Sequence, residues 1–251
     1  MTRRAVLVTG ASGGIGRAIA SVFAEAGDRV AVHYGSGREA AQRTFEALPA
    51  QGHTLVGADL ADPDAVRRMV DEAAAALGTI DVLVNNAGVF LDHRITDMSY
   101  EQWQETWRAT LDVNLVGLAN VTWCAVQHML AAGIRGRVVN VSSRGASRGE
   151  PNHLAYGASK AGLNSFSQSL ARALAPYGIA VTTVAPGFVE TDMAAERLGG
   201  PQGNELRAQS PFGRVAQPEE VARAVLYLAS PEAEFASGAI LDVNGASYLR
   251  M

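Results

Sequence analysis

The chain has 251 residues, 48% of them hydrophobic, and carries a formal net charge of −4 with a pI near 5.7. This much apolar sequence can build one extended core. The net negative charge gives no sign of the basic surface that nucleic-acid-binding proteins carry. The single cysteine, Cys124, excludes an internal disulfide, and no apolar run reaches the length of a membrane span, so we expect a soluble cytoplasmic protein.

Short β-branched segments alternate with amphipathic segments of helical length along the whole chain. Strands are predicted at 5–9, 29–34, 53–57, 80–85, 137–142, 179–184 and 239–243. Helices are predicted at 15–26, 38–48, 63–77 (with Asp62 as its N-cap), 99–132, 154–177 and 218–229. This alternation predicts an α/β fold, a doubly wound, Rossmann-like parallel sheet of about seven strands with helices on both faces. A single domain over residues 1–251 is the simplest organisation.

The longest stretch without a predicted element is 187–214, which is rich in Gly and Pro. A loop of this length in a compact α/β domain is usually functional. We expect it to be a lid that closes over the substrate and excludes water. Its candidate covering side chains are Phe188, Met193, Leu198 and Leu206.

The first predicted strand runs directly into a glycine-rich turn that opens the first predicted helix. Glycines let the backbone turn tightly and approach a pyrophosphate, which then rests on the helix N-terminus. Plain strand–helix turns also contain glycine, but this position in the chain favours dinucleotide binding. The candidate cofactor residues of the turn are Gly10, Ser12, Gly13, Gly14, Ile15 and Gly16.

The second predicted strand ends without the carboxylate that would bind the ribose hydroxyls of NAD. The sequence there is Tyr34-Gly35-Ser36-Gly37-Arg38. Ser36 and Arg38 would suit a 2′-phosphate, although Arg38 could simply begin the next helix in solvent. The missing acid predicts that NADP(H) is preferred, with NAD(H) as the alternative.

The only lysine of the chain, Lys160, lies four residues after Tyr156. On a helix these two positions share a face, so a phenol and an ammonium would project into the same space. A cation beside a phenol favours its ionised form and lowers its pKa, so such a tyrosine can transfer a proton near neutral pH. The alternative is an ordinary surface lysine beside a packed tyrosine.

These features and further motifs occur in the same order along the chain as in the short-chain dehydrogenase/reductase family. The chain resembles this family over its whole length. The matching positions are the turn Gly10–Gly16, Asn85-Asn86-Ala87-Gly88, Asn114, Ser143, the Tyr156/Lys160 pair, and Pro186-Gly187 followed by Thr191. The resemblance implies an NADPH-preferring carbonyl reductase.

The resemblance also implies a role for each matching residue. Tyr156 would be the general acid, Lys160 would lower the tyrosine pKa and bind the nicotinamide ribose, Ser143 would hold the substrate oxygen, and Asn114 would hold a water of the proton relay. Further cofactor contacts are implied for Asp59, Leu60, Asn85, Ala87, Gly88, Pro186, Gly187, Val189 and Thr191. His153 precedes Tyr156 where the family places substrate-facing residues.

The segment Val184–Met193 is similar to bacterial 3-oxoacyl-[acyl-carrier-protein] reductases. Those enzymes dock an acidic carrier protein on basic residues, and the corresponding positions here are Tyr177 and Ile134. This departure weighs against an acyl carrier protein and favours a small-molecule carbonyl substrate. The family also implies a homotetramer.

Two other functions remain open at this stage. One is an NAD-linked alcohol dehydrogenase working oxidatively, and the other is a nucleotide-binding regulatory protein without turnover. The intact set of Asn114, Ser143, Tyr156 and Lys160 argues against the second.

Overall fold

Seven parallel strands form one sheet in the computed structural model, which describes residues 3–201 and 203–250, without the side chains of Met193 and Glu196. The strands are β1 (Ala5–Val8), β2 (Arg29–Tyr34), β3 (Thr54–Gly57), β4 (Val82–Asn85), β5 (Arg137–Val141), β6 (Ala180–Pro186) and β7 (Ile240–Val243). Their order is β3-β2-β1-β4-β5-β6-β7. The predicted fold class and strand number are confirmed.

The helices are α1 (Gly14–Glu25), α2 (Arg38–Ala47), α3 (Pro63–Leu77), α4 (Tyr100–Leu111), α5 (Leu118–Ala131), α6 (Gly145–Arg148), α7 (Leu154–Leu174), α8 (Asp192–Gly199), α9 (Gly203–Ala208) and α10 (Pro218–Leu228). Asp62 caps α3 as predicted, its carboxylate accepting from the main-chain N–H groups of Asp64 and Ala65. A π-helical turn, Asp112–Gly117, joins α4 to α5 without a break.

Alternate residues of each strand pack into two hydrophobic layers on opposite faces of the sheet. Leu7 and Leu83 belong to the layer of α3, α5 and α7, whereas Val8 and Val84 belong to the layer of α1 and α10. Covering both faces explains why the strands are continuously apolar. The chain leaves β1 toward β2 and later returns to β4 on the other side, so a crevice opens at the carboxyl ends of these strands.

One expectation about the elements was wrong. The stretch 187–214 is not irregular throughout, because it contains α8 and α9, whose Ala, Glu, Arg and Leu content favours helix.

The continuous helix Tyr100–Ala131 is long and apolar enough to cross a membrane by length and composition alone. Half of its most apolar window is buried inside the protein, where it packs on α3 and α7.

Candidate active site

The glycine turn, residues 10–16, folds tightly at the carboxyl end of β1. Gly10 has a φ of +64°, and a Cβ there would lie 2.8 Å from the Cα of Ala87. A Cβ on Gly16 would collide with the carbonyl oxygen of Gly10. The main chain therefore passes too closely for any other residue at these two positions.

The first turn of α1 presents its main-chain N–H groups to a cavity. Gly13, the N-cap, makes no side-chain capping bond, and the first turn carries no acidic residue. Around a Cβ built on Gly13, the nearest atom is Asp192 Oδ2 at 3.9 Å, so there is room for a ligand beside the turn. A helix N-terminus with this open approach suits a pyrophosphate.

A buried imidazole fixes the start of the same turn. His33 Nδ1 accepts a hydrogen bond from the Gly10 N–H at 3.1 Å, and its Nε2 donates to the carbonyl of Ala58 at 3.1 Å. Burial lowers the pKa of His33 to about 4, with the bond to Ala58 opposing this shift. The neutral ring thus ties together the ends of β1, β2 and β3.

The cavity measures about 770 Å³ and extends from the glycine turn to Tyr156 and Lys160. It brings together most of the predicted site, namely Gly10, Ser12, Gly13, Gly14, Ile15, Gly16, Ser36, Asp59, Leu60, Ala87, Gly88, Ser143, Tyr156, Lys160, Pro186, Gly187, Val189 and Thr191. These residues come from the carboxyl ends of β1 to β6 and from α7. Motifs far apart in sequence therefore share one crevice.

Three predicted cofactor residues do not line this cavity. Asn85 is fully buried, and its amide donates to Thr122 Oγ1 and Asn140 Oδ1, both at 2.8 Å. Tyr34 lies over Gly57, and Arg38 is exposed at the start of α2. The Asn85 amide and the Tyr34 ring are engaged elsewhere and do not face the cavity, whereas the exposed Arg38 would have to turn toward it to contact a ligand.

Asn86 lines the cavity in place of its neighbour. Its Nδ2 donates to the carbonyls of Thr9 and Gly10, both at 3.0 Å. Asn86 therefore braces the glycine turn from the β4 side. The alternation of side chains along a strand, which places Asn85 and Asn86 on opposite sides, was the signal that could have separated the two.

Asn114 is fully buried within the π-helical turn and does not line the cavity either. Its Oδ1 accepts from the Val89 N–H at 2.7 Å, and its Nδ2 donates to the Val89 carbonyl at 2.9 Å and to Ser159 Oγ at 3.3 Å. The side-chain amide thus fastens the segment after β4 to α7. π-Helical turns of this kind occur frequently at functional sites.

One end of the cavity is lined by Ser143 and Tyr156 and is called the catalytic end below. Lys160 is almost completely buried beneath it. Its Nζ donates to the carbonyl of Val141 at 2.9 Å and lies 5.7 Å from the ring centroid of Tyr156. A Cβ on Gly88 would lie 3.6 Å from the same nitrogen. Burial lowers the pKa of Lys160 to about 8, so the side chain is still charged at neutral pH.

The protein alone does not lower the pKa of Tyr156, contrary to the expectation for the Tyr–Lys pair. Burial raises the pKa of this phenol, the hydrogen bond with Ser143 lowers it, and the charge of Glu150 raises it further. Burial dominates because an ionised phenolate loses more hydration than the neutral phenol. Lys160 contributes a cation close to the ring without reversing this balance.

Two arginines that the sequence did not single out border the catalytic end. The Arg197 guanidinium lies over the ring of Phe90 at 4.7 Å, and Phe90 meets Tyr156 edge-on at 4.6 Å. The Arg144 guanidinium, next to Ser143 in the chain, lies over the ring of Phe188 at 4.6 Å. No sequence signal marked these residues, since scattered arginines are abundant in this chain.

His153 contributes to the same wall as a neutral ring. It stacks on Phe90 with a centroid distance of 3.8 Å, and Arg197 Nη2 donates to its Nε2 at 2.7 Å. Burial first and then Arg197 lower the pKa of His153 to about 4, although Asp92, 2.7 Å from the same nitrogen, favours the charged ring. The burial and the guanidinium outweigh the largely exposed carboxylate.

Comparison with known proteins finds relatives over the whole chain. The family model described as enoyl-(acyl carrier protein) reductase matches residues 10–246. The 3-oxoacyl-[acyl-carrier-protein] reductase FabG of Staphylococcus aureus is 38% identical over 251 residues, 99% of each chain. The enzyme of the same name from Escherichia coli is 37% identical over 243 residues, covering 97% of this chain and 96% of the relative.

Two solved structures are similar along nearly their full length. A short chain dehydrogenase from Burkholderia cenocepacia in complex with NADP has a TM-score of 0.87 at 35% identity, covering 97% of both chains. A dehydrogenase/reductase from Sinorhizobium meliloti has a TM-score of 0.88 at 30% identity, covering 99% of this chain and 96% of the other.

Proposed function

Because this chain is a member of the short-chain dehydrogenase/reductase family and an oxidoreductase, we propose that it reduces the carbonyl group of a ketone or 3-oxoacyl compound with NADPH. The observation that carries the proposal is a single cavity. One end is bordered by the glycine turn and the N-terminus of α1, and the other by the hydroxyls of Ser143 and Tyr156 with Lys160 below them.

The cofactor assignment draws on the residues around the glycine turn. The N–H groups of α1 suit the pyrophosphate, and Ser36 and Asp59 line the cavity beyond the ends of β2 and β3. The connection from β2 to α2 has no carboxylate before Glu39, so nothing there repels a 2′-phosphate. The similar structure from Burkholderia cenocepacia, named as a complex with NADP, supports the same choice.

NADPH, when bound, supplies the hydride that adds to the carbonyl carbon. The carbonyl oxygen gains negative charge as the hydride arrives, and Tyr156 Oη donates its proton to that oxygen to give the alcohol. Ser143 donates a hydrogen bond to the same oxygen, and the ammonium of Lys160 favours the phenolate left behind.

A small-molecule substrate fits the surface better than a carrier-linked one. Tyr177 is 60% exposed at a position where the resembling reductases carry a docking cation. The other corresponding position is Ile134, which carries no charge. We therefore propose that free ketones and short thioesters are reduced at least as well as acyl groups on a carrier protein.

Replacing the proton donor tests the proposed chemistry. Tyr156→Phe should lower the turnover of ketone reduction by about a hundredfold or more, the usual contribution of a positioned general acid. NADPH binding, measured by quenching of protein fluorescence, should persist because the hydroxyl alone is removed. Tyr100→Phe, at a 70% exposed tyrosine outside the cavity, is the matched control. Near-normal turnover by Tyr156→Phe would refute the assignment.

A further inference from the structure

Arg197 has its guanidinium at the catalytic end of the cavity. Its Nη2 donates to Asp92 Oδ1 at 3.2 Å and to His153 Nε2 at 2.7 Å, and its plane lies on Phe90. The same phenylalanine contacts Tyr156, so only one aromatic ring separates the guanidinium from the proposed proton donor. The buried His153 and the ring of Phe90 hold the cation at this position.

The ion pair between Arg197 and Asp92 is weak and exchangeable. The Asp92 side chain is 65% exposed and that of Arg197 is 34% exposed. Pairs in such contact with water contribute little, because both charges are well solvated when apart. Asp92 does not line the cavity, whereas Arg197 does. A second anion approaching from the cavity side would therefore meet a guanidinium that is not fully engaged.

The catalytic end of the cavity also carries an excess of positive charge. Besides Arg197, it is lined by Arg144, Lys160 and Glu150, and the Lys160 ammonium donates to the carbonyl of Val141. Arg144 is itself 4% exposed and donates to Ser247 Oγ and Gln209 Oε1. The charges of Arg144 and Glu150 offset each other, and both Arg144 and Lys160 donate to protein partners. Arg197 is thus the cation left for a ligand.

We propose that Arg197 determines substrate specificity by binding a carboxylate carried by the carbonyl substrate, so that the enzyme prefers oxo acids to neutral ketones. This inference rests on the carbonyl reduction proposed above. A guanidinium binds carboxylate with two parallel N–H···O bonds, and the Phe90 ring, with its centroid 4.7 Å from the guanidinium carbon, limits its movement. Binding at this point would hold the substrate carbonyl toward Ser143 and Tyr156.

The test compares acids with their esters. Acetoacetate and levulinate, each beside its methyl ester, are assayed with NADPH at neutral pH in the wild-type enzyme and in Arg197→Gln. The wild type should show higher kcat/KM for the acids. The variant should lower the acid-to-ester ratio by about tenfold or more, mainly through KM, as expected for loss of one charge-assisted interaction. Arg197→Lys should retain part of the preference.

Arg94→Gln is the matched control, because it removes the same charge from an exposed arginine that does not line the cavity. It should keep the wild-type ratio. If Arg197→Gln lowered kcat/KM equally for acids and esters, the inference would be overturned, and the role of Arg197 would be to hold α8 in place. A wild type that reduces the esters but not the acids would overturn it too. A wild type that reduces none of these compounds nor other ketones would refute the carbonyl reduction itself.

Discussion

His33 illustrates how a single buried side chain shapes the cofactor end of the site. The neutral ring accepts from the N–H of Gly10, so a proton on Nδ1 would place two donors against each other. The pKa of the ring is lowered to about 4 by burial, below its ordinary value of 6.5. The folded protein consequently binds fewer protons at this residue than the unfolded chain between those two pH values.

The free energy of unfolding should therefore decrease as the pH is lowered from 6.5 to about 4. The contribution of the neutral His33 to the free energy of unfolding is fully present above the pKa of the unfolded chain. It is lost as the pH is lowered toward the pKa of the folded protein, and the full loss is roughly 3 kcal/mol. His33→Asn keeps an acceptor for Gly10 and removes the titration. Urea unfolding at neutral and mildly acidic pH should show a smaller loss of unfolding free energy in the variant.

The comparison between variant and wild type is needed because a second histidine titrates in the same range. His153 also has its pKa lowered to about 4 by burial and by Arg197. This contribution is present in both proteins and cancels in the difference. Identical pH dependence of the two proteins would show that His33 has no such role.

At the scale of the elements, sequence patterns predicted the strands well and the connections less well. Every strand was recognised because it is largely apolar and bounded by turn residues. α8 was missed because the glycines and prolines around it suggested a loop, although Ala194, Ala195 and Leu198 favour helix. The boundary of α7 at Leu174 follows from Pro176, which favours a separate 3₁₀ turn.

The candidate site was predictable where a motif fixes the main chain. Gly10 and Gly16 are required by close contacts that any such turn makes, and Tyr156 and Lys160 by helical spacing. The arginines beside the catalytic end could not be predicted in this way. Arg197 reaches the site only because α8 folds over the segment after β4, a tertiary contact without a local pattern.

The connection between β2 and α2 should select the cofactor. Arg38 begins α2 at the surface and does not line the cavity, so its guanidinium would have to turn toward a 2′-phosphate. Arg38→Ala should narrow the preference for NADPH over NADH by about tenfold, since one charge-assisted interaction is lost. The ratio of kcat/KM values for the two cofactors measures this effect.

Arg43→Ala, at another exposed arginine on the same helix, should leave the NADPH-to-NADH ratio of kcat/KM unchanged. An NADH efficiency equal to that of NADPH in the unmodified enzyme would contradict the cofactor assignment as a whole. An unchanged ratio in Arg38→Ala would assign the preference to Ser36 and to the missing carboxylate instead.

At the scale of the whole molecule, exposed apolar side chains gather on both layers of helices. Trp123 on α5 is 62% exposed, with the exposed Val116 about two helical turns before it. On the other layer, Tyr227 on α10 is 55% exposed and lies near the edge strand β7 with its exposed Leu241. Two separate apolar patches on one chain are what two different two-fold interfaces would need.

A second copy of the chain is the occupant we expect on each patch, which gives a tetramer with two kinds of interface. Light scattering after gel filtration should report a mass near four times 26.3 kDa. Trp123→Glu should place a charge in one interface and leave a dimer held by the other, since an unpaired buried charge costs several kcal/mol. Glu46→Lys, an exposed position on α2, should remain tetrameric. A wild-type monomer at micromolar concentration would contradict this assembly, and a Trp123→Glu tetramer would show that α5 faces solvent.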